Sequence, residues 1–141
     1  MAFVFDMGIV RIPLQDETGN EFGVAAYNPK DFGILTRAQD ASSDLDELTK
    51  IFAGFAEEQS QEKALEVMSK ACLQLQKYCD FVFGKGFYEG AFSRVNPFTE
   101  IANGNWLCVE IITSVLEDMR NKAQANREKA EKYLKGYKKN A

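Results

Sequence analysis

The sequence predicts a mainly α protein with a small N-terminal β-hairpin, an α+β chain. Its body reads as a helical bundle of about four to five helices with an extended C-terminal helix. Three observations carry that expectation. After Asn28, apolar residues recur at steps of three and four, the spacing of one helical face. Strand-like runs are confined to residues 3–27. From Arg120 the apolar face thins out and the chain turns basic. The reading is one globular domain over 1–119, with the hairpin in 3–27 and the helical body in 28–119, followed by a polar basic helical arm over 120–141.

Taken in order, Phe3 and Phe5, then Ile9 to Leu14, then Phe22 to Tyr27 are short apolar runs. Gln15-Asp16-Glu17-Thr18-Gly19-Asn20 between the last two is rich in turn formers, so these runs form a hairpin. Val10, Ile12 and Leu14 are expected on one face, with Phe22 and Val24 opposite. Pro13 lacks an N–H, which makes its strand an edge or a bulged one. Asn28-Pro29 reads as a helix start, with a short helix to about Arg37. Ser42, Ser43 or Asp44 can cap the next helix, which carries Leu45, Leu48, Ile51, Phe52 and Phe55. A break is expected near Glu57 to Ser60. Beyond it Leu65, Met68, Cys72, Leu75, Cys79 and Val82 form the clearest apolar stripe, which ends at Gly84 as a C-cap glycine would end it.

The segment Phe81 to Phe92 holds three glycines among five aromatic residues. Glycine there permits backbone angles that a Cβ would block, and the rings give the corner something to pack on. Gly86→Val is therefore expected to disable the protein. Gly90 reads as added flexibility in a short helix over Phe87 to Ser93. Pro97 marks a boundary, and the Asn96 to Asn105 link is rich in Asn and Gly. The last helix has Trp106, Val109, Ile112, Leu116 and Met119 on one face. Past it, residues 120–141 hold eight Lys/Arg against two Glu, whereas the other 119 residues hold nine Lys/Arg against 19 Asp/Glu.

With 141 residues, 45% hydrophobic and 27% charged, the chain is an ordinary globular protein by composition. Met1 to Val10 contains Asp6 and lacks a basic start, so no signal peptide is expected, and no apolar run has the length of a membrane span. A cytoplasm is the expected location. There is no histidine and no CxxC, so a metal site is hard to build and the commonest acid–base residue is missing. No catalytic, cofactor-binding or metal-ligating residue is assigned. The three cysteines read as buried small hydrophobes. Gly84-Lys85-Gly86 with Gly90 looks faintly like a phosphate loop, but a helix precedes it and the third glycine is misplaced. Trp106 reads as a core residue.

The basic arm admits two readings. A solvated extension, or docking on an acidic protein surface, is favoured over nucleic acid, because stacking aromatics are limited to Tyr133 and Tyr137. The candidate partner-binding residues are Arg120, Lys122, Arg127, Lys129, Lys132, Tyr133, Lys135 and Tyr137. Self-association through the hairpin edge is the other expected contact.

The corner Phe83-Gly84-Lys85-Gly86-Phe87-Tyr88-Glu89-Gly90-Ala91-Phe92, the helix Val109 to Leu116 and the Glu131-Lys132-Tyr133 tail together resemble the tail assembly chaperones of long-tailed phages infecting Gram-positive hosts. Members often carry a G-x-G with an aromatic and an Ala-Phe soon after it; Gly84, Gly86, Phe87, Ala91 and Phe92 match. The resemblance implies a non-enzymatic helical protein of the host cytoplasm, absent from the mature virion. Such proteins coat the tape measure protein and help recruit tail tube protein. It also implies that a groove near the Gly84–Phe92 corner holds client helices. The rival readings are a structural tail completion or connector protein and a small helical nucleic-acid-binding regulator.

Overall fold

A computed structural model describes residues 1–57 and 60–140, with the side chains of Ala56, Tyr133 and 137–140 outside the description. It is 61% helical, with a two-stranded antiparallel hairpin before five helices. The elements are β1 (Val10–Gln15), β2 (Glu21–Tyr27), α1 (Gly33–Asp40), α2 (Ser42–Glu57), α3 (Gln61–Phe83), α4 (Phe87–Ala91) and α5 (Leu107–Asn140). The α+β class, the hairpin and the long last helix are as the sequence predicts.

The hairpin turn is organised by one side chain. Asp16 Oδ1 accepts from the Thr18 and Asn20 N–H groups at 2.9 and 3.1 Å and from the Thr18 hydroxyl at 2.6 Å, while Gly19 takes a φ of +87°. These bonds, led by the Thr18 hydroxyl, hold the Asp16 carboxyl below its usual range. Val10 pairs with Tyr27, Ile12 with Ala25 and Leu14 with Gly23, and the register shifts between Leu14 and Gln15. Opposed residues share a face. Val10, Ile12 and Leu14 therefore stand beside Gly23, Ala25 and Tyr27, the buried face of β2, and Phe22 and Val24 lie on its other face. Strand structure starts at Val10 rather than Phe3. The register explains this: Ile9 would have to pair with Asn28, where the partner chain already turns, so residues 1–9 have no ladder to join.

Asn28-Pro29 makes a turn, not a helix start. Asn28 Oδ1 accepts from the Lys30 N–H and Asn28 O from Asp31 N, which closes a tight turn that cannot continue into α1. Asp31 then accepts from the N–H of Gly33, where α1 begins. Helices α2 and α3 are separate. α2 ends at Glu57, and Ser60 is extended at φ −86°, ψ 127°, its hydroxyl accepting from Lys63 N. Glu58 and Gln59 lie outside the described residues.

The core runs along the second half of α3, the first half of α5 and the buried face of β2. Leu75, Cys79, Val82, Phe87, Ile112 and Met119 are among its most enclosed members. Of the predicted α3 stripe Leu75, Cys79 and Val82 are buried; Leu65 is 59% exposed, and Met68 and Cys72 are half-buried. Phe98 and Trp106 join Phe52 and Phe55 in an aromatic cluster, with Trp106 edge-on to Phe52 at 4.4 Å. The Asn/Gly-rich link is ordered. Gly104, at φ +88°, donates to Ile101 O, and the Asn103 and Asn105 amides donate to Glu110 in the first turn of α5.

Candidate functional site

The glycine corner is built by two backbone requirements. Gly84 ends α3 at φ +103°, and Gly86 starts α4 at φ +96° in a left-handed conformation. A Cβ on either would meet nothing within 4 Å, so dihedral angle rather than space requires glycine at both. Phe87 stacks on Phe83 with ring centroids 4.1 Å apart. Phe87 and Ala91 are wholly buried, so they hold the corner shut and leave Lys85, Glu89, half-buried Tyr88 and half-buried Phe92 as its outward face. Tyr88 and Phe92 are themselves in ring contact at 5.4 Å.

Gly90 serves proximity rather than flexibility. A Cβ there would lie 2.8 Å from Val24 O, and one on Gly23 would drive into the carbonyl of Ala91. The hairpin therefore lies backbone-to-backbone on α4, which is how a marginal two-stranded element is anchored. Arg37 secures the other side. Its Nε donates to Val82 O at 3.1 Å in the last turn of α3, and its Nη2 pairs with Asp31 at 2.9 Å. One side chain thus satisfies a helix-end carbonyl and ties α1 to the corner. Gly23 and Arg37 carry no local sequence signature, because their partners lie far along the chain.

The second feature is a cleft of about 430 Å³ between the hairpin and α5, lined by Ile12, Leu14, Phe22, Ala25, Ile111 and Val115. At its rim the Tyr27 hydroxyl donates to Asp118 at 2.7 Å, and Lys122 donates to the same oxygen at 2.9 Å. Burial, aided by Asp118, pushes the Tyr27 phenol up, and the bond from Lys122, then that from Tyr27, holds the Asp118 carboxyl below its usual range.

The third is the basic arm. Met119 is the last fully buried residue of α5 and Ala123 the last half-buried one; past Ala123 every described side chain is exposed. Arg120, Lys122, Arg127, Lys129, Lys132 and Lys135 all point to solvent. The side chains of Tyr133 and Tyr137 lie outside the description. Of the candidate residues, Lys122 is tied into the body through Asp118.

Potential chemical groups are subdued. Cys79 and Cys108 are buried and Cys72 half-buried, all with free thiols. Burial raises all three, Cys108 to about 12, and it raises Tyr78 and Tyr88 to about 12 as well. Among the described residues no cluster of three His, Cys, Asp or Glu could hold a metal ion, and no helix is long and apolar enough to cross a membrane. In comparisons with protein-family models, curated proteins and solved structures, no match to this chain is found.

Proposed function

We propose that this protein is a phage tail assembly chaperone. In this reading it holds the tape measure protein in the host cytoplasm, helps recruit tail tube subunits, and performs no catalysis. The observation that carries the proposal is the exposed basic helix beyond Ala123, standing off a body that is strongly acidic in sequence. At the usual rise the helix beyond Ala123 is about 25 Å long, a length suited to lying along an elongated helical client. The corner motif Gly84 to Phe92 supports the same reading through its family resemblance. Its part is to set the angle between α3 and α4, so that the hairpin and the helices present fixed surfaces. Arg127, Lys129, Lys132 and Lys135 supply electrostatic attraction, which speeds encounter more than it adds affinity.

Co-expression with the tape measure protein encoded beside it, followed by pull-down, tests the proposal. Retention of the client, with a gain in client solubility, is expected. No association and no gain would overturn it. Detection of this chain in purified virions by mass spectrometry would favour a structural tail component instead. Binding to nucleic acid that falls steeply with salt and vanishes on removal of residues 120–141 would favour a regulator.

A further inference from the structure

The region before β1 is the most apolar exposed part of the molecule. Phe3, Val4 and Phe5 are 81%, 90% and 74% exposed, and Met7 and Ile9 more than half exposed. Phe3, Phe5, Met7 and Ile9 also alternate, the pattern of a strand that buries one face. A concentration of bare apolar side chains of this kind marks an interaction site. The same chain carries a second bare apolar feature, the cleft of about 430 Å³ between β1 and α5 with Ile12 at its edge. β1 is an edge strand whose side chains are mostly exposed.

We propose that residues 3–9 of one copy lie in the β1–α5 cleft of a second copy, and that the exchange is reciprocal. A foreign occupant of the cleft would leave the segment bare, whereas a two-fold exchange covers both features in both chains. In its own chain the segment runs beside Asn28 to Asp31, past the Val10 end of β1, while the cleft reaches to Leu14 and Gln15 at the other end. The area suffices. Each buried aromatic ring removes about 150–250 Å² from water, so four phenylalanines contribute about 600–1,000 Å². The surfaces they cover bring the total into the range of about 1,200–2,000 Å² of a stable interface. The exchange does not depend on the chaperone reading, and its test uses no client.

Sedimentation equilibrium on the full chain is expected to give twice the 15.9 kDa chain mass. Phe3→Asp with Phe5→Asp changes only exposed positions and is expected to raise the dimer Kd by at least about 100-fold, with the helical circular dichroism unchanged. Ile12→Lys, at a 42% exposed position on the receiving side, is expected to do the same. A photo-crosslinker at position 5, in a mixture of light and heavy-isotope chains, is expected to link to residues 12–15 of the other copy. A monomer at all concentrations overturns the proposal. So does a dimer that survives both variants, or a crosslink confined to one chain, which would mean that the segment folds onto its own body or serves another partner.

Discussion

Three glycines make different demands on their neighbours, and substitution separates them. Gly86 needs only its left-handed backbone, so Gly86→Ala is expected to cost about 1–2 kcal/mol and Gly86→Val more, measured by urea unfolding. Gly23→Ala forces β2 off the Ala91 and Gly90 carbonyls and is expected to be the most damaging alanine substitution of the set, at about 2–3 kcal/mol. Gly54, inside α2 with open space where a Cβ would stand, gives the opposite sign: Gly54→Ala is expected to stabilise by about 0.5–1 kcal/mol. Gly84 and Gly86 were legible in the sequence because they interrupt an apolar stripe and need no distant partner. Gly90 was visible but misread, since the atom it makes room for, Val24 O, belongs to the hairpin. Asp118 adds a pH dependence. Its carboxyl is depressed in the folded state, so its contribution is present above the ordinary aspartate value of 3.8 and is lost as pH falls through the lower folded value. The expected result is that wild type loses more stability than Asp118→Asn between about pH 4 and pH 2 in urea titrations.

Helix existence follows from apolar spacing, but helix burial depends on neighbours that spacing does not name. Leu65 and Leu75 occupy equivalent places in the α3 stripe, yet Leu65 is 59% exposed and Leu75 wholly buried, because the core of buried side chains reaches only the second half of the helix. The Asn28-Pro29 pair shows the converse: a start signal was spent on an Asx turn, and the chain reached helix only at Gly33. At this scale Arg37 is the most consequential polar residue. It carries the bond from α1 to the last turn of α3, and removing it leaves Val82 O without that donor at the point where the corner begins. Arg37→Met keeps the aliphatic stem and deletes the donors. It is expected to lower stability by about 1–2 kcal/mol in urea unfolding, a figure already discounted for the partial exposure of the pair. Hydrogen exchange is expected to quicken first at the amides of Val82 to Gly86, with the α2 amides little changed.

For the whole molecule the governing asymmetry is electrostatic: an acidic body continues without a break into a basic helix whose described side chains past Ala123 are all exposed, with Ala125, Asn126 and Lys129 beside Pro29 to Phe32. An isolated helix of this length in water is marginal, and its basic residues near a helix C-terminus are stabilised only modestly by the backbone dipole. The folding of the body therefore owes little to the arm, and under the proposed function its cations serve client capture. Two measurements separate structure from binding. Truncation after Gln124 is expected to leave the urea midpoint of the body within experimental error, because the Tyr27–Asp118–Lys122 contacts are retained. Replacing Arg127, Lys129, Lys132 and Lys135 with Gln is expected to do the same, while weakening capture of the tape measure protein by at least about tenfold at 0.05 M salt. Because these charges are exposed, the wild-type advantage should shrink toward that of the variant as salt rises past about 0.3 M, where screening acts over only a few ångströms. A body that unfolds on truncation would make the arm part of the fold. Client capture indifferent to both salt and the Gln substitutions would move the binding surface off the arm and onto the hairpin–helix body.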